Sequence, residues 1–275
     1  MSTRTRAHVA TNLSLGGRWT SLLLLDREWL WHRDDSQRSS VRPDQAFIDA
    51  GGIEECVPTV RGTPDHGAAW SRVWYREQGD DVVDCGEFRL RRRLHRYADR
   101  VVAGYRLIGR PGFRFLWAAH ALLDVSTEAR LDLPAGTPIR VYPEAAAHLG
   151  GWPEGARYLL GRWPEPCGLP LSRLGPDDGS AIAAIAPGCA RATVIDGDDR
   201  LSFSLRTASD VPTSTALWRN LAGYPAANPY RSIGVEPMLG SVFDLADAGP
   251  QDAATVPASG QLDWQLHITA ERIAS

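Results

Sequence analysis

The chain has no lysine; all 30 of its basic residues are arginine. That absence removes whole mechanisms: no Schiff-base lysine, no lysine to hold pyridoxal phosphate, and no Walker-type phosphate loop. Arginine stays charged and grips oxyanions through a planar fork, so the chain can bind anions but offers no tunable amine. Cysteine is scarce. Cys56, Cys85, Cys167 and Cys189 stand far apart, without a C-x-x-C pair or a histidine at metal-ligand spacing. The spacing predicts buried thiols in a reducing compartment rather than a disulfide framework, and it offers no metal site. Long apolar runs are missing too: Leu22 to Leu25 is too short for a signal core or a membrane span. The expectation is a soluble, cytoplasmic protein with no membrane partner.

Net charge is −3, with 43% hydrophobic and 23% charged residues, the profile of a globular chain with a substantial core. Such a balance gives no electrostatic reason to expect nucleic acid. Arg89, Arg91, Arg93 and Arg96 read as a solvated strand face, because aromatic residues scarcely interleave with them.

The dominant periodicity is two. Phe88, Leu90 and Leu94 share one parity, and Glu87, Arg89, Arg91, Arg93 and His95 the other, which is the pattern of a half-buried strand. A turn at Ala98-Asp99-Arg100 leads into Val101 to Ile108, predicting a hairpin. Phe113 to Val125, Leu201 to Leu205 and Leu262 to Thr269 alternate in the same way, and Trp19 to Leu25 is strand-like. Short helical turns are expected near Ser214 to Leu221 and Glu144 to Leu149. Trp163 to Gly179, rich in proline, glycine and aspartate, reads as a long surface loop. Many short strands with frequent turns predict an all-β sandwich or barrel, and the unchanged patterning on both sides of that loop predicts one domain over 1–275.

Three segments stand out against these parities. Gly51-Gly52-Ile53-Glu54-Glu55-Cys56-Val57-Pro58 is followed by Pro64-Asp65-His66-Gly67 and then by Trp70, Arg72 and Trp74. His120 lies in Leu116-Trp117-Ala118-Ala119-His120-Ala121-Leu122, pointing away from Phe113, Phe115 and Trp117. Glu236 lies in Ser232-Ile233-Gly234-Val235-Glu236-Pro237, opposite Ile233 and Val235, with Gly234 leaving space beside it. His8, His32, His95, His148 and His267 read as structural, and Glu54 and Glu55 as flanking a turn.

In their order, these segments resemble the aldose 1-epimerase (galactose mutarotase-like) superfamily. The Gly16-Gly17-Arg18 opening, the V-E-P-M-L-G run and the closing Gly260 to Thr269 strand extend the resemblance over nearly the whole chain. It implies a large two-sheet antiparallel β-sandwich with a sugar site on one sheet. By motif it implies His120 as general acid, Glu236 as general base and His66 as a substrate-holding residue. The arrangement His66, Arg72, Trp74 is similar to the hexose-6-phosphate epimerase-like branch and implies substrate contacts from Arg72 and Trp74. The chain departs from the family pattern at Ala119 and at Leu122-Leu123, where aromatics are common, and no motif fixes the family's substrate-binding aspartate.

The implied activity is interconversion of the α and β anomers of an aldose or aldose 6-phosphate. One group takes the proton of the C1 hydroxyl, another protonates the ring oxygen, and the opened chain rotates and recloses. Carboxylate and imidazole on one sheet face suit this task, and it demands no cofactor or metal. Ten tryptophans offer apolar faces for sugar rings. Two other readings stay open: a non-catalytic carbohydrate-binding protein on the same fold, and a sugar lyase or hydrolase, which would need a second carboxylate or a tyrosine in the groove.

Overall fold

The computed structural model describes residues 7–208 and 210–273. Among these residues, two large antiparallel sheets form the framework of the fold. Ten strands form the first. In spatial order they run His8–Asn12, Arg18–Leu24, Ile53–Cys56, Trp117–Leu123, Tyr230–Leu239, Thr213–Tyr224, Ser180–Pro187, Pro138–Val141 and Leu159–Arg162, with Arg27–Glu28 pairing to Arg18–Leu24 off this path. The second has eight: Arg130–Asp132, Arg191–Asp196, Asp199–Arg206, Gln261–Arg272, Arg100–Gly109, Phe88–Arg96, Asp80–Asp84 and Tyr75–Glu77. Among the described residues no helix is long and apolar enough to cross a membrane.

The sheets face each other across an aromatic core. Trp117 of the first sheet meets Tyr105 and Trp264 of the second at 4.8 and 5.3 Å, and those two rings stack at 5.2 Å. Along Trp117–Leu123 the odd positions Trp117, Ala119, Ala121 and Leu123 enter this inter-sheet core. Ala118 points to the opposite face, where a second apolar cluster gathers Cys56, Tyr142, Ala183, Ala216, Met238 and Phe243. The centre of the ten-stranded sheet is therefore covered on both sides, and every residue of Trp117–Leu123 is buried. One side of a strand facing the core and the other facing a covered surface is what lets a charged side chain be held there out of water.

Several sequence expectations are met and others corrected. The predicted hairpin forms, with Arg96 opposite Val101. Ser214 to Leu221 is no helical turn but part of the long strand Thr213–Tyr224; with both faces covered it lacks the polar alternation that marks a half-exposed strand. The run from Phe113 to Val125 is two strands, because Arg114–Phe115 pairs with Ala254–Thr255 outside the large sheets. The 163–179 loop is not merely superficial: Leu169, Leu171 and Leu174 plug the core from it. All four cysteines are free thiols, but only Cys56 and Cys189 are buried; Cys85 is half-buried and Cys167 exposed.

Glu54 and Glu55 do not flank a turn. Both lie on Ile53–Cys56, fully buried, on opposite faces. Glu55 points between the sheets, where its Oε1 accepts from Arg92 Nη1 at 2.8 Å and Tyr105 OH at 2.9 Å, and its Oε2 from Trp117 Nε1 at 2.8 Å. Arg92 also donates to Gly17 O at 2.7 Å and Asp81 Oδ2 at 3.1 Å. Arg92 sits on the apolar parity of Phe88–Arg96, a signal already visible in the sequence. A charge in that register must be paired, since burying it alone is prohibitive.

Candidate active site

Register sets the site. His120 pairs with Glu54 on one neighbouring strand. On the other side, Ala118 opposite Met238 and Leu122 opposite Gly234 bracket His120 and Glu236 at the same height. Glu236 in turn faces Ala216. Four strands thus present Glu54, His120, Glu236 and Ala216 as one transverse row. Gly234 lets the Glu236 carboxylate lie close against the backbone, for a Cβ there would stand 2.7 Å from Glu236 Oε1.

His120 and Glu236 of this row line a cavity of about 600 Å³, together with His66, Phe47, Asp49, Arg61, Trp218 and Tyr230. His120 Nδ1 lies 2.8 Å from Glu236 Oε1. The two side chains form a buried ion pair, and Glu236 Oε2 is buried without a partner. Burial alone would push the His120 imidazole down, but the Glu236 carboxylate, with Asp49 and Glu54 behind it, holds it up at about 9. The imidazole is therefore protonated at neutral pH. Glu54 is pushed up to about 7 by burial, against the pull of Arg38, whose guanidinium donates to both its oxygens at 2.8 and 3.1 Å.

His66 is brought to the same cavity by a turn. Its backbone is left-handed (φ 57°), and Gly67 N closes the turn onto Pro64 O at 2.9 Å. Gly67 must be glycine: its φ is 80° and a Cβ would stand 2.2 Å from Val57 O. Phe47 stacks flat on the imidazole at 3.7 Å, and His120 meets it edge-on at 5.4 Å. His66 Nδ1 is 2.8 Å from Asp65 Oδ1, while Asp65 Oδ2 accepts from Phe47 N at 2.9 Å. Burial, assisted by the charge of His120, lowers the His66 imidazole despite Asp65. A neutral ring that gives its Nδ1 proton to Asp65 keeps the Nε2 lone pair as an acceptor. Two neighbouring histidines thus hold opposite protonation states.

Of the residues singled out in the sequence, the structure brings His66, His120 and Glu236 together. It does not bring Arg72 and Trp74 to them. Trp74 is in the inter-sheet core, with Nε1 donating to Ala69 O at 3.0 Å and Arg92 over its ring at 4.8 Å. Arg72 does not line the cavity either. Most of the large tryptophans, among them Trp19, Trp29, Trp70 and Trp117, are core residues, whereas Trp218 faces the cavity. Sequence reading missed Arg33, Phe47, Asp49 and Tyr230. Tyr230 OH donates to Asp49 Oδ2 at 2.7 Å, its ring stacks on Trp31 at 5.6 Å, and the Arg33 guanidinium covers it at 4.3 Å. The segment from 33 to 52 shows no periodicity; the one hint was Asp49 standing just before the glycine pair, where its Oδ1 accepts from Gly51 N at 3.1 Å. Among the described residues no group of three or more His, Cys, Asp or Glu side chains gathers at metal-binding distance.

No family model matches the sequence, and no curated protein matches it. Solved structures do resemble it. A Synechocystis sp. PCC 6803 protein superposes with a TM-score of 0.70 at 13% identity, covering 99% of this chain and 94% of that one. A candidate aldose 1-epimerase from Escherichia coli K12 gives 0.65 at 12% identity, covering 97% and 99%. A galactose mutarotase-like protein from Lactobacillus casei ATCC 334 gives 0.64 at 15% identity, covering 97% and 98%. At such identities the likeness establishes the architecture: the chain has the galactose mutarotase-like β-sandwich fold.

Proposed function

We propose that the protein is an aldose 1-epimerase-type isomerase, with His120 as general acid, Glu236 as general base and His66 as a substrate-holding acceptor. One observation carries the reading: a protonated imidazole and a carboxylate with one unpartnered oxygen stand side by side in a cavity of sugar size. The ring oxygen and the C1 hydroxyl oxygen of an aldose are bonded to the same carbon. The groups that serve them therefore need to stand close together.

Glu236 Oε2 accepts the proton of the C1 hydroxyl while His120 delivers one to the ring oxygen, and the C1–O bond to the ring opens to the aldehyde. After rotation about C1–C2 the ring recloses, with each proton returned to its donor. His66 Nε2 accepts a hydrogen bond from a sugar hydroxyl, and Phe47 and Trp218 supply apolar surface. For an aldose 6-phosphate the phosphate contacts fall to Arg33 or Arg61, both on the cavity wall, instead of Arg72.

The test is the approach of freshly dissolved α-glucose and α-glucose 6-phosphate to anomeric equilibrium, followed by NMR or polarimetry. The protein is expected to speed at least one. Glu236→Gln is expected to reduce the gain by about 10²–10⁴-fold, the usual worth of general acid–base assistance. The rate is expected to fall as pH rises through about 9, where His120 loses its proton. No acceleration of either sugar sinks the catalytic reading. The direct contact between acid and base favours one second reading, a sugar-binding protein without turnover; saturable sugar binding with no change in equilibration rate is its signature.

A further inference from the structure

Glu54 and Arg38 form a buried ion pair that the proposed mechanism leaves unused; they are 2% and 3% exposed, and neither lines the cavity. We infer that Glu54 is a positioning residue, a counter-charge on the opposite side of His120 from Glu236 that holds the proton affinity of the imidazole throughout the reaction. The inference rests on the anomerase reading for its consequence and goes beyond it by giving a role to a carboxylate that never meets the sugar.

Register carries the argument. Ile53–Cys56 and Tyr230–Leu239 flank Trp117–Leu123 on its two edges, so His120 stands between two glutamates. Glu54 is its direct partner across one of these antiparallel pairs, and residues so placed have Cβ atoms about 4.5–5.5 Å apart. Ile53 and Glu55 turn into the space between the sheets, whereas Cys56 turns to the face that carries Ala118. Glu54 shares the parity of Cys56, and His120 that of Ala118, so both point to that face. Arg38, from the short 3₁₀ turn Ser36–Ser40, fixes the carboxylate in place: its Nε donates to Glu54 Oε1 at 3.1 Å and its Nη2 to Oε1 at 2.8 Å. The same Nη2 donates to Leu15 O at 3.0 Å and Trp70 O at 3.1 Å, which anchors the guanidinium in turn.

The two carboxylates differ in what becomes of them. Glu236 takes the proton of the C1 hydroxyl and loses its charge as His120 gives up its own proton. In the open-chain state the reacting carboxylate therefore no longer draws a proton back to the imidazole. Glu54 exchanges no proton with the sugar, so its charge persists. An opposite charge within about 4–6 Å favours the protonated form of a group. Ring closure requires His120 to recover its proton, and Glu54 supplies that pull. Asp49 and His66 also act beside His120, and Arg18 beside Glu54, while the Cys56 thiol is pushed well up by burial and stays neutral. Burial raises Glu54 and Arg38 opposes it, so the carboxylate ionises as pH passes about 7.

The experiment titrates the protein by NMR, following His120 through its imidazole ¹⁵N signals and Glu54 through its carboxyl ¹³C signal. Alongside it, the pH profile of kcat/KM for equilibration of α-glucose and α-glucose 6-phosphate is measured in the wild type, Glu54→Gln and Glu54→Asp. In the wild type the His120 signals are expected to show a step at the Glu54 midpoint near 7, before their own near 9. Glu54→Gln is expected to bring the imidazole titration and the alkaline limb of the profile down by about one pH unit, with KM near the wild-type value. Glu54→Asp, which keeps the charge, is expected to retain both. A His120 midpoint that Glu54→Gln leaves in place, or a raised KM without a shifted limb, overturns the inference and leaves the anomerase reading standing. If Glu54→Gln does not fold, the wild-type titration decides, and His120 signals indifferent to the Glu54 step overturn the inference. If neither sugar equilibrates faster, the anomerase reading fails, and the NMR titrations alone support or overturn the hold of Glu54 on His120.

Discussion

At the scale of single residues, the candidate site works by separating the protonation states of two like groups. His120 is kept charged by Glu236 within contact distance, while His66, 5.4 Å away, is kept neutral by burial and by that same charge. Environments that push titratable groups apart are how one pocket can hold a donor and an acceptor together. Asp65 is the positioning residue here, because its carboxylate fixes which nitrogen of His66 carries the proton. Asp65→Asn offers an amide in place of the carboxylate and loosens that choice. The variant is expected to raise KM severalfold with a smaller change in kcat, and to alter the tautomer pattern of His66 in ¹⁵N NMR. An unchanged tautomer with an unchanged KM would remove Asp65 from this role.

The strand parities put His120 and Glu236 on their faces correctly because each stands in a run with clear alternation. His66 was marked by its glycine partner, whose backbone conformation other residues rarely adopt. Arg72 and Trp74 were misread for a physical reason: they follow His66 closely in sequence, but Trp74 turns into the core to cover Arg92. Proximity along the chain carries no information about which face a side chain takes once the strand pattern lapses. Asp49 and Tyr230, more than 180 positions apart, meet only through the tertiary fold.

At the scale of elements, Ile53–Cys56 has an outsized role for four residues. Through Glu54 it stands beside His120 in the transverse row; through Glu55 it reaches the second sheet via Arg92, Tyr105 and Trp117. Removing one member of a buried pair strands the other. Arg92→Met is therefore expected to cost roughly 3–5 kcal/mol in urea unfolding, because Glu55 and Asp81 lose their counter-charge. The double variant Arg92→Met with Glu55→Leu is expected to recover part of that loss, since a buried ion pair replaced by apolar groups of similar volume is often tolerated. A loss below 1 kcal/mol for the single variant would show that water reaches the pair. The sequence displayed Arg92 on an apolar parity but not its partners, which lie 37 and 11 positions away.

For the whole molecule, the buried titratable groups set how stability responds to pH. His120 is raised from 6.5 to about 9 in the folded state. Below 6.5 it is protonated whether folded or unfolded, and its ion pair contributes fully. As pH rises through about 9, the folded imidazole also loses its proton and the contribution disappears. Glu54, raised from 4.5 to about 7, acts in the same sense at lower pH. Stability is thus expected to fall between pH 7 and pH 9, read as a lower urea midpoint. His120→Gln should flatten that decline; an equal decline in the variant would assign it to other groups. The two-sheet architecture was legible from the period-two patterning, whereas its strand order was not, because neighbours such as Trp117–Leu123 and Tyr230–Leu239 are joined across more than a hundred residues.

The adjacent glutamates on Ile53–Cys56 have one more consequence, for folding. Shifting that strand by a single position would exchange their directions, sending each carboxylate towards the other's side and away from its own arginine. Two stranded anions in dry surroundings would make the slipped pairing far costlier than a mispacked apolar strand. The doublet therefore works as an electrostatic ratchet, admitting one alignment of the sheet and rejecting its nearest competitors.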